Sequence, residues 1–163
     1  MPVGAVSGDD IYREARELAR ASDQVIVQIP FVEDAVAPLR RLVADGIPIC
    51  ATHVYSGAQA YFAAKIGATM VLVEAQDLEA HGQHSADVVA QIRGVLDTAE
   101  VECDLAVRPA PTSVSFSDHL LAGADIACLT PAVMNSLMLH ALTDRGVDRF
   151  LSALSKRHKP RAL

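Results

Sequence analysis

A single amide stands inside an otherwise apolar run, Val25-Ile26-Val27-Gln28-Ile29-Pro30-Phe31. The run has the length and continuity of a parallel strand buried on both faces. A buried amide needs hydrogen-bonding partners, so Gln28 should point at something polar. Other groups with chemical potential fall where later apolar runs end. Thr52 and His53 close Ile47–Thr52, Glu74 follows Met70–Val73, and Arg108 follows Leu105–Val107. A half-buried carboxylate such as Glu74 suits general-base chemistry, and it equally suits an ion pair with Arg108. Gln28 and Thr52 can hold a carbonyl or hydroxyl, or they can satisfy each other. His53 is either a ligand-facing imidazole or a surface capping group. His81-Gly82-Gln83-His84 spaces two imidazoles but fixes no third ligand, so no metal is expected. His119 and His140 fall on helical stretches, as packing or surface groups. Asp118-His119 has no serine or cysteine at a strand elbow to complete a hydrolase triad.

The elements that carry these residues alternate. Apolar runs predict strands at Val3–Val6, Val25–Ile29, Ile47–Thr52, Met70–Val73, Leu105–Val107 and Ile126–Leu129. Helical spacing predicts helices over Ile11–Ala21, Glu33–Ala44, Ala58–Ile66, Ser85–Thr98 and Ser115–Ala122, then two more, about Pro131–Leu142 and Val147–Ser155. Gly46, Gly67 and Gly123 stop three of them at the position where helices favour glycine. Gln76–His84 reads as a polar connection. Strand–helix alternation is the signature of a parallel α/β sheet. No low-complexity linker divides the chain, so residues 1–155 read as one domain, and the basic stretch at 156–163 as a solvated tail.

Composition narrows the function. The net charge of −6 argues against nucleic acid as the main partner. No apolar run reaches the length of a membrane-spanning helix. Three cysteines without a paired spacing fit a reducing cytoplasmic setting, and no secretory leader is apparent. Neither GxGxxG nor GxxxxGK[ST] occurs, and the first turn, Ser7-Gly8-Asp9-Asp10, would repel a pyrophosphate, so no nucleotide cofactor is expected. No other cofactor is expected either.

Four stretches carry a resemblance: Val25–Pro30, Ala44-Asp45-Gly46-Ile47-Pro48, Thr52-His53-Val54-Tyr55-Ser56-Gly57-Ala58-Gln59, and Leu120-Leu121-Ala122-Gly123-Ala124-Asp125. Together with Ala64–Ala68 they resemble the small transaldolase and fructose-6-phosphate aldolase family over about Val3 to Leu154. The resemblance implies an eight-stranded (β/α) barrel, a TIM-barrel-like fold, of which this chain would lack the first two strands and keep about six. The open edges would be closed by oligomerisation, as a homo-oligomer, or by a strand-completing partner.

The resemblance also implies a site at the C-terminal ends of the strands, formed here by Gln28, Thr52, His53, Glu74, Asp77 and Arg108. The family forms a Schiff base on a lysine, and the matching position is Gln28. The family's water-activating tyrosine matches Glu74, its phosphate-binding arginine Asp77, and its phosphate-side serine falls near Pro109. Two readings follow. In one, Glu74, Gln28 and Thr52 carry non-covalent acid–base chemistry of the aldol, isomerase or cyclase type on a small carbonyl or polyhydroxylated compound. His53, Asp77 and Arg108 bind that substrate, and Asp77 disfavours a sugar phosphate. In the other, the chain is a catalytically inactive relative that binds a ligand or serves as a partner subunit.

Overall fold

The computed structural model describes residues 1–4 and 7–157. Five parallel strands pair in chain order: β1 (Val27–Pro30), β2 (Ile49–Thr52), β3 (Met70–Glu74), β4 (Asp104–Arg108) and β5 (Ile126–Ala127). The helices are α1 (Gly8–Ala19), α2 (Val36–Ala44), α3 (Gly57–Ile66), α4 (Ala75–Ala80), α5 (Ser85–Thr98), α6 (Ser113–Leu121), α7 (Pro131–Ser136) and α8 (Ala141–Arg157).

The sheet has five strands where the sequence reading expects about six. Ala5 and Val6 of the expected first strand lie outside the described residues. Its neighbours nonetheless sit on the outer edge of β1. Pro2 forms a parallel bridge with Gln28, and the Val3 N–H donates to the Gln28 carbonyl at 2.9 Å. The basic tail falls largely outside the described residues, since only Lys156 and Arg157 belong to α8. Two further boundaries differ. The connection Gln76–His84 contains the short helix α4. The expected helix to Leu142 ends at Ser136, and α8 begins six residues ahead of Val147. His140 marks that start, because its Nδ1 accepts the Leu142 N–H at 3.1 Å, as a helix cap does.

Each strand alternates between two faces. One face carries Val27, Ile29, Ile49, Ala51, Val71, Val73, Leu105 and Val107, all at 0% exposure, and packs on the helices. Leu39 and Leu42 of α2, and Val89, Ile92 and Leu96 of α5, fill that layer. The opposite face carries Cys50, Leu72 and Ala106, flanked by Ile26 and Met70. By the pairing register, Gln28 lies beside Cys50 and Glu74 beside Arg108, which places all four on this second face. Thr52 shares it, two residues beyond Cys50.

The connections follow from local chemistry. Ser56 Oγ accepts the Gln59 N–H at 3.3 Å and starts α3. Thr112 and Ser115 form a reciprocal capping box at the head of α6. Gly67 ends α3 in the left-handed region with φ 109°, where a Cβ would stand 2.6 Å from Val43 Cγ1. Gly46, at φ 77°, has open space around it. Gly67→Ala therefore adds crowding to the left-handed strain and is expected to lose about 2–4 kcal/mol, against about 1–2 kcal/mol for Gly46→Ala. Urea unfolding of the two variants measures the difference.

Candidate functional site

The C-terminal ends of β1, β3 and β4 meet in one polar network. Arg108 Nε donates to both Glu74 oxygens at 3.0 Å, and its Nη2 donates to Oε1 at 2.6 Å. Its Nη1 donates to Gln28 Oε1 at 3.3 Å. Gln28 and Arg108 stand three strand spacings apart, about 14 Å in a flat sheet. Their contact across β2 and β3 draws the strand ends toward a common centre. The Glu74 side chain is 14% exposed and that of Arg108 is 37%. The pair keeps this end of the sheet close to electrically neutral. Below it the Cys50 thiol is buried, and that burial pushes its pKa up to about 12. It is a packing group and not a nucleophile.

Thr52 and His53 occupy the end of the intervening strand. Thr52 is 2% exposed, and its Oγ1 lies 3.0 Å from His53 Nδ1. His53 adopts φ 58°, the left-handed region that a non-glycine residue enters at a cost. That turn sends its imidazole to the rim, edge-on to Tyr55 at 6.4 Å. Asp77 belongs to a neighbouring cluster. It accepts the Tyr55 hydroxyl at 2.5 Å, beside a cavity of about 340 Å³ lined also by Leu78, His81 and Gln83. Burial and then the Asp77 carboxylate hold the Tyr55 hydroxyl far above its usual pKa, so it serves as a donor. The sequence reading passes over Tyr55. The signal was its place three residues past Thr52, in the turn that leads from β2 into α3.

The two histidines of the HxxH motif part company. His81 Nδ1 lies 2.7 Å from the Asp77 carbonyl oxygen, whereas His84 is the capping residue of α5. Lys65 projects from α3 with its Nζ 5.5 Å from the centre of the Tyr61 ring. That helix lies on the other face of the sheet from Gln28.

A second polar group, whose joining the sequence does not show, links α4, α5 and α6 through exposed Glu79 and buried Ser85 and His119. Glu79 Oε1 accepts both the Ser85 N–H at 2.9 Å and the Ser85 hydroxyl at 2.8 Å. Ser85 Oγ lies 2.8 Å from His119 Nε2. Burial pulls the His119 pKa below its ordinary 6.5.

Two outcomes follow. Arg108→Met leaves the Glu74 carboxylate half-buried without its cation, at a cost of about 1–3 kcal/mol. Adding Glu74→Gln should recover most of that loss, as urea unfolding of the single and double variants reads directly. For His119 the folded-state pKa is lowered, so the unfolded chain binds a proton first. Stability is then full above pH 6.5 and falls as pH drops below it through the folded pKa. The urea midpoint should decline more steeply between pH 7 and 5 in the native chain than in His119→Phe.

This arrangement can be set beside known proteins. The family model for Transaldolase/Fructose-6-phosphate aldolase matches residues 3–160. A probable transaldolase of Phenylobacterium zucineum is 33% identical over 159 residues, covering 95% of this chain and 73% of that protein. One from Coprothermobacter proteolyticus is 33% identical over 154 residues, covering 94% and 71%. Among solved structures, 3-keto-L-gulonate-6-phosphate decarboxylase from Vibrio cholerae superposes with a TM-score of 0.56 at 14% identity, over 76% of this chain. The chain spans 57% of that structure, and the likeness is one of fold, the parallel strand–helix architecture of a (β/α) barrel. By the family match and the two identities, this chain belongs to the transaldolase/fructose-6-phosphate aldolase family.

Proposed function

We propose that this chain is a divergent transaldolase-family protein that binds a small carbonyl or polyhydroxylated compound at its strand ends and forms no imine with it. The observation that supports this is Gln28. It occupies the strand end where the family resemblance puts the Schiff-base lysine, and its Oε1 is engaged by Arg108 at 3.3 Å. An amide nitrogen is not a nucleophile toward a ketone. The three lysines of the chain are Lys65, Lys156 and Lys159. Of these, Lys65 lies on α3, away from the network. The ligand's oxygens would meet the Gln28 amide N–H, the Thr52 hydroxyl and the Arg108 guanidinium. This is a binding set without a covalent partner.

The same geometry weighs against Glu74 as a free general base. Both oxygens of the carboxylate are taken up by the Arg108 guanidinium, so its lone pairs are already engaged. Acid–base chemistry of the lyase or isomerase type is the second reading. It is favoured by His53, whose imidazole is oriented by Thr52 at the rim. In that reading His53 moves the proton and Glu74 positions Arg108.

Oligomerisation completes the proposal. Among the described residues, α8 exposes Val147 at 50%, Phe150 at 62% and Leu151 at 54%, which share one helical face. Met138 and Leu139 before it are 83% and 73% exposed. A second copy of the chain covers this face. Asp77, paired with Tyr55, leaves no fork of donors for a sugar phosphate. The three free thiols suit a reducing, cytoplasmic setting.

Borohydride in the presence of dihydroxyacetone or fructose 6-phosphate should leave the mass of the native chain unchanged. Gln28→Lys should be trapped, because Arg108 beside the new amine favours its uncharged form. A reduced adduct on the native chain would overturn the proposal. An activity lost in His53→Ala with the fold intact would establish the second reading. Phe150→Asp should shift light scattering from an oligomer toward a monomer.

A further inference from the structure

Helix α8 buries none of its residues from Ala141 to Ser155 against the described chain, and all of them but Gly146 are exposed. At 17 residues it is about 25 Å long, a length at which an isolated helix is marginal in water. Gly146 in its interior has open space where a Cβ would stand, and it weakens the helix by about 1 kcal/mol relative to alanine. The helix therefore needs a packing surface that its own chain does not give. Val147, Phe150 and Leu151 sit at i, i+3 and i+4 and form a stripe down one side. Asp144 and Asp148 lie one turn apart along the edge of that stripe, and by the same spacing Arg145 and Arg149 fall on the far side. Two carboxylates at i, i+4 destabilise a helix unless a cation meets them. No salt bridge among the described residues engages either one.

A matching surface lies elsewhere on the molecule. A cavity of about 340 Å³ opens between α2 and α3, lined by Val36 and Arg40 from the first and by Phe62, Lys65 and Ile66 from the second. Phe62 is 51% exposed, and no carboxylate lines the cavity. Among the described residues neither Arg40 nor Lys65 is in a salt bridge. The groove thus offers an apolar floor and two cations, where α8 offers an apolar stripe and two anions. α2 and α3 follow β1 and β2, whereas α8 comes after β5 at the other end of the sheet order. Helix and groove therefore stand on different parts of one chain and meet between two.

We propose that α8 of one copy docks in the α2–α3 groove of a second copy. Its apolar stripe rests on Val36, Phe62 and Ile66, and Asp144 and Asp148 meet Arg40 and Lys65. This rests on the reading that a second copy covers α8, and it names the surface that does so. Each copy gives one surface and receives on a different one, so the contact closes by mutual exchange between two copies or as a ring. Light scattering of the full chain over a dilution series tests it. Arg40→Glu with Lys65→Glu sets like charges against the helix and should weaken association roughly a hundredfold. Asp144→Lys with Asp148→Lys should do the same. The variant carrying all four changes should recover association, which also shows that each pair of changes leaves the fold intact. Phe62→Asp should dissociate the assembly as Phe150→Asp does. If Phe150→Asp dissociates it while the Arg40/Lys65 pair or Phe62→Asp leaves the mass unchanged, or if the fourfold variant stays dissociated, the groove is the wrong surface and the proposal is overturned alone. A native chain that is monomeric, or a Phe150→Asp chain that stays assembled, would overturn the wider reading together with it.

Discussion

A guanidinium cannot shed its charge, so Arg108 at the half-buried end of β4 obliges the surrounding strands to supply acceptors. β3 supplies both oxygens of Glu74, and β1 supplies the Gln28 oxygen. Most other features of this end of the molecule follow. The charge of Glu74 is neutralised where it stands. Gln28 has its partner, so an amide can sit in an apolar strand. A lysine at position 28 would instead set a second cation against Arg108, a repulsion of about 4 kcal/mol at contact distance near a protein surface. The glutamine and the ion pair therefore support one another as a set.

The two faces of the sheet answer to different constraints. The helix-facing side is held by volume. Ile29, Leu39, Leu42, Ile92 and Leu96 are at most 1% exposed, and each is fixed by the side chains around it. The other side is apolar at Cys50, Leu72 and Ala106, with Ile26 and Met70 packed beside them, and turns polar at the C-terminal strand ends. Short connections then carry groups just past the strands, and alternation decides where they go. Thr52, Glu74 and Arg108 fall on the inner side, whereas Ala75 joins the helix-side core. A single strand end thus feeds two polar assemblies on opposite sides of the sheet.

Periodicity made the fold legible. Strands and helices appeared where apolar spacing placed them, and α5 began and ended at the residues expected, a long helix that buries Val89, Ile92 and Leu96 at helical spacing. The boundaries that moved were set by interactions that spacing does not contain, such as the His140 cap of α8. In the site, Gln28, Glu74 and Arg108 could be anticipated as polar residues at strand ends. The Glu74–Arg108 ion pair on adjacent strands could be anticipated as well, but Gln28 joining it could not, because that depends on how far the sheet curls to bring β4 to β1. Asp77 was expected in the same group and faces Tyr55, since α4 turns it away. Ser85 looked like a helix start and His119 like a packing or surface histidine on a helix, and His119 is buried. Only the packing of α6 on α5 brings them to 2.8 Å.

The contrast between the faces shows where a chain of this fold is free to vary. A helix-facing valine or leucine is bounded on every side, and replacing it leaves a cavity or a clash. A strand-end residue is bounded mainly by the need to satisfy its polar atoms. One complementary set can therefore replace another there with little effect on packing, provided all members change together. Arg108 without Glu74, or Glu74 without Arg108, would leave an uncompensated charge at a half-buried position. With Gln28 as the third member, every polar atom that the pair exposes to the sheet is answered. The fold can tolerate such an exchange because the requirement is electrostatic and local. Chemistry is more exacting, because imine formation needs one particular atom, a neutral amine nitrogen, and guanidinium, carboxylate and amide do not supply one.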